Sequence, residues 1–559
     1  MRSPKLVIIG GVAAGASAAA KARRCDEQAE IVLFEKGPDI SYATCGLPYY
    51  LSGVIDNRKK LLVATSSFFK RRFNVDVKTR HEVLRIEPAA RQILVRDLAN
   101  GREFVESYDR LVLAPGATPI IPPIPGVDLP IVHTLKTLED TDRIFASIQA
   151  GRPQHAVIVG AGLIGMEMAE NLALTGAHVA VVEFLPQILG FLDREMAELA
   201  CRHAASKGVD FYLGEKVTAI ISRDGGHLVQ TDQGRELPAD LIIMAVGIRP
   251  NIGLAREAGL AIGSTGGIVV DEYMRTSVPD IFAAGDCVES RHVVTDRSML
   301  FPMGSAANKQ GRAAGANAMG RRLAVKGFTG TVIVKVFEQT VAKTGLSERE
   351  ALAEGFPVAV SYLGADHHAG YYPGAREMKI KTVAEQASGR LLGAQIIGEQ
   401  GVDKRIDVLA TAIYNRMDQE ELIHLDLAYA PPYSSARDPI IVLGALGQNL
   451  KAGDWNPITP AVLHEKIRQG GDFVVIDVRT GRELEKTALI PGAIHIPLDD
   501  LRNRLAELEP HREAILYCAV GLRSYIGNRL LAMHGFTDVK SLAGGFGCWT
   551  FETEPLTAR

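Results

Sequence analysis

The chain has 559 residues, which is too many for one hydrophobic core and predicts several folding units. Its composition, 47% hydrophobic and 23% charged, is that of a globular protein, and its formal net charge of −3 gives no support for binding to nucleic acid. No apolar run reaches the roughly 18 residues that span a bilayer, and no signal peptide is evident, so we expect a cytoplasmic protein with small-molecule partners and no membrane partner.

The N-terminal segment predicts a strand, a glycine-rich turn, a helix and a second strand. These elements lie in "KLVIIGGVAAGASAAAKARR" and in "EIVLFEKG", where the second strand ends at Glu35. Such a turn lets the backbone approach a pyrophosphate, and the acid at the end of the next strand binds a ribose hydroxyl. The motif is imperfect, because Val12 occupies the middle glycine position. The candidate dinucleotide-binding residues here are Gly10, Gly11, Ala14, Gly15, Glu35 and Lys36.

A second copy of this pattern lies in "HAVIVGAGLIGMEMAENLALTGAHVAVVE". Its GxGxxG is complete, and the next strand ends at Glu183. Two copies in the same context predict two nucleotide-binding units. The carboxylate of Glu183 would repel a 2′-phosphate, and Phe184 and Leu185 offer no arginine to bind one, so NADH is expected to be preferred to NADPH. The candidate residues of this unit are Gly160, Gly162, Gly165, Glu183 and Gly247.

Two further segments resemble the additional flavin-binding segments of flavoprotein reductases with two dinucleotide-binding domains. They are "LVLAPGATP", with Ala114 and Gly116, and "TSVPDIFAAGDCVE", with Asp286. The resemblance implies that the first unit binds FAD and the second a nicotinamide nucleotide. It also implies that Asp286 binds the flavin ribitol.

Cys45 lies in "SYATCGLPYYLSG", about ten residues after Glu35 and just before an apolar segment that predicts a helix. A thiol at a helix N-terminus favours the thiolate, and a nearby flavin would make it a redox centre. The six cysteines contain no CxxC pair, which argues against a disulfide framework or a metal site. Ile40 and Tyr50 exclude the CxxxxC pair of glutathione reductases, and Ala13 replaces the histidine of NADH peroxidases and oxidases.

The segments "CGLPYY", "YYPGA" and "AYAPPYS" resemble those of coenzyme A-disulfide reductases, and the resemblance covers about residues 1–447. It implies a homodimer whose active sites are completed across the interface, where Tyr371 and Tyr429 reach the sulfur of the partner. It also implies coenzyme A as substrate or bound ligand, whose phosphates need cations. The candidate substrate-binding residues are Arg23, Arg24, Lys70 and Arg71, which flank the Cys45 segment, and Ser41, which lies within it.

The last hundred residues alternate short strands and helices, and "YCAVGLRS" places Cys518 directly after a strand in a CxxGxR loop. Backbone N–H groups and Arg523 would surround this sulfur with positive potential and stabilise a persulfide anion. With "DVRTGREL", "PGAIHIPL" and "GGFGCW", the segment resembles a single-domain rhodanese. The six-residue loop favours sulfur transfer over the phosphate chemistry of related seven-residue loops.

The sequence therefore predicts an α/β protein with two Rossmann-like nucleotide-binding domains, an α+β dimerisation domain and a C-terminal α/β rhodanese domain. The predicted segments are a first FAD-binding part (1–150), an NAD(H)-binding domain (151–275), a second FAD-binding part (276–326), a dimerisation domain (327–448), a linker (449–459) and a rhodanese domain (460–559). The fusion as a whole resembles the coenzyme A-disulfide reductase/rhodanese type of the pyridine nucleotide-disulfide oxidoreductase family.

The predicted function is FAD-dependent reduction by NADH of coenzyme A persulfide, and of coenzyme A disulfide or polysulfide, at Cys45. Sulfide is released, and Cys518 relays sulfane sulfur. Either sulfur of the substrate can be the one that Cys45 attacks. Two alternatives stay open: a coenzyme A-disulfide reductase for thiol redox buffering, and a flavin-based sulfur or redox sensor.

Overall fold

The computed structural model describes residues 4–151, 153–223 and 225–555. The predicted outer bounds, Met1 and Arg559, lie outside these ranges. The chain divides into two compact units, one formed by Met1–Pro186 and Gly208–Phe328, the other by Gln187–Lys207 and Thr329–Arg559. In the described ranges, no helix is both long and apolar enough to cross a membrane.

The first unit begins with a parallel sheet that carries the first glycine turn. The elements of this segment are β1 (Lys5–Ile9), α1 (Ala13–Cys25), β2 (Glu30–Glu35), α2 (Leu47–Leu51), α3 (Ser66–Phe73), β3 (Asp76–Thr79), β4 (His81–Glu87), β5 (Gln92–Asp97), β6 (Glu103–Ser107), β7 (Arg110–Leu113), β8 (Ala117–Pro119), β9 (Val132–His133) and α4 (Leu138–Gly151). Strand β1 is buried on both faces, as expected for the centre of a parallel sheet.

A second parallel sheet carries the second glycine turn. The elements that follow α4 are β10 (His155–Val159), α5 (Leu163–Ala173), β11 (His178–Glu183), α6 (Arg194–Ser206), β12 (Val209–Leu213), β13 (Val217–Arg223), β14 (Gly226–Thr231), β15 (Glu236–Pro238), β16 (Leu241–Met244), β17 (Ile248–Pro250), α7 (Gly253–Glu257), β18 (Ile281–Ala283), β19 (Glu289–Arg291), β20 (Ser298–Leu300) and α8 (Gly304–Ala318).

The two parallel sheets have corresponding strand orders, β18-β7-β1-β2-β3 and β12-β11-β10-β16-β9. In each, the strand before the glycine turn lies beside the strand that ends in the acid predicted to bind a ribose. The second sheet also takes up β9, from the end of the predicted first FAD-binding part.

One segment of the predicted NAD(H)-binding domain belongs to the second unit. Helix α6 lies within Gln187–Lys207, which groups with the dimerisation domain. Its contacts with that domain include two ion pairs, from Asp193 and Glu195 to the buried ammonium of Lys381.

The dimerisation domain is built on an antiparallel sheet of order β21-β22-β25-β24-β23. Its elements are β21 (Val332–Val336), β22 (Gln339–Gly345), α9 (Glu348–Ala353), β23 (Val358–Asp366), β24 (Glu377–Glu385), β25 (Leu391–Gly398), α10 (Val402–Tyr414) and α11 (Pro439–Lys451). Helix α11 runs into the predicted linker, and Trp455 within that linker is buried. The connection is therefore shorter and more ordered than its glycine and proline content predicts.

The C-terminal domain is a parallel sheet of order β26-β30-β29-β27-β28. Its elements are β26 (Pro457–Ile458), α12 (Pro460–Gln469), β27 (Phe473–Asp477), α13 (Gly481–Leu484), β28 (Ile494–His495), α14 (Leu498–Leu501), β29 (Glu513–Tyr517), α15 (Leu522–Met533) and β30 (Val539–Leu542). Cys518 follows the central strand β29, at the carboxyl edge of the sheet where α/β proteins place their sites.

Candidate functional site

Two acids hold the glycine turns in the same way. The N–H of Gly11 donates to Glu35 at 2.7 Å, and the N–H of Ala161 donates to Glu183 at 2.6 Å. The second oxygen of each carboxylate accepts a backbone N–H two residues further along the chain. Both carboxylates are thus fixed beside the turn, where the ribose of a dinucleotide would lie.

The glycine turns fit a dinucleotide. A Cβ atom at Gly15 or at Gly165 would collide with the carbonyl oxygen of the first glycine of its own turn, so each helix packs closely against the turn. At Gly162, which precedes α5, a Cβ atom would point into open space. That space, in front of a helix N-terminus, suits a pyrophosphate.

The other predicted cofactor residues lie around the first sheet and at the end of β16. Ala114 directly follows β7, while Gly116 and Gly247 have positive φ angles.

Asp286 forms an ion pair with Lys136 at 2.9 Å, a partner that the sequence did not predict. The remaining members are placed as follows: Ala14 lies in α1 next to Gly285, Gly10 has a positive φ angle, and the exposed Lys36 pairs with Glu82.

Cys45 is exposed, in a single 3₁₀ turn that spans Thr44–Gly46. The helix that follows, α2, has only five residues, so the helix dipole expected at this cysteine is much weaker than the sequence predicted. The predicted reactivity of Cys45 would therefore depend on its accessibility and not on a helix terminus.

Helix α2 joins Cys45 to the second nucleotide-binding segment. The hydroxyl of Tyr49 donates to Glu167 on α5 at 3.3 Å, and that of Ser52 donates to Asn171 at 2.6 Å. Burial raises the pKa of Glu167 to about 7, the Tyr49 hydrogen bond opposes this rise, and the neighbouring Glu170 adds to it. The sequence analysis missed Glu167, although its position two residues after Gly165 marks it as lying beside the glycine turn.

One predicted substrate-binding residue has a structural role instead. Arg23 is 4% exposed, and its guanidinium donates to the backbone carbonyls of five residues, namely Asp26, Glu27, Ala29, Phe73 and Asn74. These bonds fasten α1 to the end of α3 and leave no free donor for a phosphate. The prediction for Arg23 is therefore wrong, because a buried arginine cannot be told from an exposed one in a short basic run.

The other predicted substrate-binding residues are placed differently. Arg24 and the last turn of α3, with Lys70 and Arg71, are exposed. Ser41 lies in the left-handed region, and its carbonyl oxygen accepts the N–H groups of Val63 and Ala64. The cations remain available for an anionic ligand.

Tyr371 and Tyr429 are brought together in the second unit. Their hydroxyls are hydrogen-bonded to each other, and this bond, with a smaller effect of burial, raises the pKa of Tyr371. Both side chains are nevertheless exposed, by 77% and 53%. Two hydroxyls in contact on an exposed surface can position and protonate a ligand presented to that surface.

Cys518 is buried in a loop that presents hydrogen-bond donors to its sulfur. The N–H of Gly521 lies 3.1 Å from Sγ, and the Ser524 hydroxyl lies 3.8 Å from it. Gly521, with a φ of 116°, turns the chain into α15, whose N-terminus faces the loop. From the other side, the N–H of Phe546 donates to the carbonyl of Cys518 at 2.7 Å.

Arg523 is fixed by a carboxylate that the sequence analysis did not single out. Its two terminal nitrogens donate to the two oxygens of Glu483 at 2.6 and 2.7 Å. This bond lowers the pKa of Glu483 to about 2. Glu483 and then Cys518 raise the pKa of Arg523, which keeps its positive charge beside the sulfur. The sequence did point to this residue, because Glu483 lies in "DVRTGREL", one of the segments that resemble a rhodanese.

The sequence matches known families over nearly its whole length. Residues 4–311 match the pyridine nucleotide-disulphide oxidoreductase family, residues 331–439 its dimerisation domain, and residues 459–552 the rhodanese-like domain. This confirms the predicted fold class and the prediction of an oxidoreductase with a rhodanese domain.

Three similar proteins have informative names. A Pyrococcus furiosus protein named NAD(P)H sulfur oxidoreductase (CoA-dependent) is 37% identical over 79% of this chain and 99% of its own. The solved structure of reduced CoADR-RHD from Bacillus anthracis is 40% identical, with a TM-score of 0.94 over 98% of both chains. A NAD-dependent persulfide reductase from A. fulgidus is 39% identical, with a TM-score of 0.91 over 98% of this chain and 100% of its own.

Both glycine turns, the dimerisation sheet and the Cys518 loop are thus parts of one recognised arrangement, and the chain belongs to the pyridine nucleotide-disulphide oxidoreductase family, with a rhodanese-like domain at its C-terminal end.

Proposed function

We propose that this chain reduces coenzyme A persulfide with electrons from NADH, and also accepts coenzyme A disulfide or polysulfide. The observation that carries the proposal is the combination of two different sulfur sites in one chain. Cys45 is exposed to incoming substrate, and Cys518 is buried in a loop whose N–H groups and arginine suit an anionic sulfur. The names of the similar proteins agree with a sulfur substrate and with coenzyme A.

The overall reaction balances as NADH, a proton and coenzyme A persulfide giving NAD⁺, coenzyme A and hydrogen sulfide. The Cys45 thiolate attacks the S–S bond of the substrate, so that one of its two sulfurs leaves and the other stays bonded to Cys45. Two electrons and protons then cleave this second S–S bond and restore the thiol. FAD would be held by the first glycine turn and Glu35, and when bound it would carry these electrons from the nicotinamide to the sulfur.

The chain's own residues orient the cofactors and the substrate. Glu183 holds the ribose of the nicotinamide nucleotide and disfavours a 2′-phosphate, so NADH is the better donor. The side chains of Arg24, Lys70 and Arg71 bind the phosphates of coenzyme A, and Ser41 contributes from the Cys45 segment.

We place the exposed Tyr371–Tyr429 pair against the partner subunit in a homodimer. There it would position and protonate the sulfur that leaves Cys45 or its substrate. Its exposure in a single chain supports this placement, since an interface would cover it. A cytoplasmic location is part of the proposal, and the free state of all six cysteines agrees with a reducing compartment.

The decisive experiment compares NADH oxidation and sulfide release by the purified enzyme with coenzyme A persulfide, coenzyme A disulfide, polysulfide and peroxide. Persulfide is expected to give the highest kcat/KM, with one sulfide released per NADH. Cys45→Ser is expected to keep FAD but to lose this turnover and the long-wavelength thiolate-to-flavin absorbance. The matched control is Cys201→Ser, because burial raises the pKa of Cys201 to about 11 and keeps it a thiol.

Two results would favour the alternatives. A higher kcat/KM for coenzyme A disulfide than for the persulfide would indicate thiol redox buffering. Flavin reduction by NADH without turnover of any of these substrates would indicate a sensor. Full activity of Cys45→Ser would refute the mechanism itself.

A further inference from the structure

One face of the dimerisation sheet lies against the rhodanese active-site loop. Gly364 on β23 and Lys379 on β24 are cross-strand neighbours in this sheet. A Cβ atom at Gly364 would lie 2.6 Å from Oε1 of Glu377, which is the end of a flexible side chain, and 2.9 and 3.0 Å from Cγ1 and Cβ of Val520. Val520 is the second residue after Cys518, so the loop that holds the sulfur contacts the backbone of β23. There is therefore no room for a side chain at position 364. The φ angle of Gly364 is not in the left-handed region, so lack of space and not backbone strain favours glycine there.

Lys379 makes the second contact, with the segment after β30. Its Nζ lies so close to Gly547 that a Cβ atom at that residue would collide with it. The N–H of Gly547 in turn donates to the carbonyl of Ala519, the residue after Cys518, at 2.9 Å. The Lys379 side chain is 15% exposed and pairs with Glu377 at 2.8 Å. Lys379 is thus held against the backbone that holds the Cys518 loop.

The contact continues along the next rung of the sheet and onto α6. Tyr362, 3% exposed, is packed so closely on the rhodanese domain that a Cβ atom at Gly544 would lie 3.0 Å from its own Cβ. The guanidinium of Arg202 on α6 donates to the carbonyl of Thr550 at 2.5 Å. The rhodanese domain is therefore docked on this surface and is not only tethered to it by the linker.

We propose that β23 and β24 of the dimerisation domain form part of the rhodanese site, with Gly364 and Lys379 as positioning residues for the Cys518 loop. The inference rests on the proposed function, because it takes Cys518 to be the carrier of sulfane sulfur. Recognition of an anionic persulfide by loop N–H groups requires their placement to within about 0.5 Å. Contacts on both sides of the loop provide that placement, one from Gly364 and one from the segment over which Lys379 lies.

The test is thiosulfate:cyanide sulfurtransfer by the full-length, FAD-loaded protein. The Cys518 thiolate takes the outer sulfur of thiosulfate and releases sulfite, and cyanide then removes that sulfur as thiocyanate and restores the thiolate. In Gly364→Ala the added methyl group displaces Val520, and kcat for thiocyanate is expected to fall at least tenfold. NADH oxidation is expected to stay within twofold of wild type. The control is Gly151→Ala, where a Cβ atom meets open space.

Two further variants separate positioning from a folding defect. Val520→Ala, combined with Gly364→Ala, removes Cγ1 of Val520 but keeps its Cβ atom, and the flexible Glu377 carboxylate can move aside, so part of the lost kcat is expected to return. Lys379→Met is expected to lower sulfurtransfer severalfold, and Lys379→Arg to restore it, since an arginine can keep the contact with this segment and with Glu377.

The outcomes distinguish this inference from the function on which it rests. If wild type forms thiocyanate through Cys518, and Gly364→Ala and Lys379→Met form it with the same kcat, the positioning role is refuted. The role of Cys518 as sulfur carrier is then unaffected. Equal loss of sulfurtransfer and NADH oxidation in Gly364→Ala, without recovery by Val520→Ala, also refutes it. If wild type forms no thiocyanate, or Cys518→Ser forms as much, the carrier role of Cys518 fails first.

Discussion

Replacement of Lys381 by methionine is expected to destabilise the second unit strongly. The Lys381 side chain is fully buried, and its ammonium lies 2.9 Å from Asp193, 2.5 Å from Glu195 and 2.7 Å from Glu348. These three carboxylates are close enough together to resemble a metal site, but the ammonium lies among them. Methionine fills a similar volume but leaves the carboxylates without a cation. Removal of one partner from a buried ion pair lowers the free energy of unfolding by about 3–5 kcal/mol.

The effect of pH tests the cause of this loss. Burial opposes ionisation of Asp193, but Lys381 and two backbone N–H groups outweigh it and lower the pKa, so the wild-type pair contributes stability above the unfolded pKa and loses it as the pH falls through the lowered pKa. In Lys381→Met the buried Asp193 carboxyl loses its cation while burial still opposes its ionisation, so its pKa is expected to rise and it takes up a proton as the pH falls. The deficit relative to wild type is therefore expected to shrink between pH 8 and pH 5.

Calorimetry of the full chain, with hydrogen exchange of the β23–β24 peptides, measures the change. A melting temperature lower by roughly 10 °C at pH 8 corresponds to this loss in a unit of this size. The control is Lys36→Met, whose exposed pair with Glu82 is worth about 0–1 kcal/mol. A deficit no larger than that of the control, or one that stays constant from pH 8 to pH 5, would refute the reasoning.

Three other predictions concern the reductase site. Because burial raises the pKa of Glu167 to about 7, this carboxyl loses its proton as the pH rises from 6 to 8, and pH–rate profiles should change there in wild type and be flatter in Glu167→Gln. The stability that the protonated carboxyl contributes is present below its ordinary pKa of 4.5 and is lost as the pH rises from there to about 7. Glu183→Ser should lower the ratio of kcat/KM for NADH to that for NADPH at least tenfold, and an unchanged ratio would contradict the role of Glu183. Tyr371→Phe, which breaks the bond to Tyr429, should lower kcat with persulfide, whereas the exposed Tyr433→Phe should not; equal rates in both would remove Tyr371 from the mechanism.

The parts of the site that sequence could predict are those encoded within a few residues. A glycine turn needs its glycines because the helix packs onto the turn, and the acid of the next strand lies beside it because the two strands are neighbours in the sheet. The Cys518 loop is likewise local, since Cys518, Gly521 and Ser524 lie within seven residues of one another.

The parts that sequence could not predict depend on contacts between distant segments. Tyr49 and Glu167 are 118 residues apart in the chain, and Arg523 and Glu483 are 40 apart. Arg23 reads as part of a basic run, yet carbonyl groups from the end of α3 turn it into a buried structural residue. Charge in a sequence thus reports the type of side chain but not whether it is free to bind.

The different burial of the two cysteines suits the proposed division of work between their sites. Cys518 is 1% exposed, so its Sγ can carry one added sulfur atom but not a larger group. Gly521 and Arg523 already lie beside that Sγ. Cys45 is exposed, so it can receive a substrate as large as coenzyme A persulfide, but an exposed thiol is not surrounded by its own chain. The groups that complete the Cys45 site must therefore arrive with the substrate, the cofactor or a second subunit, which is why an exposed tyrosine pair is informative and an isolated cysteine is not.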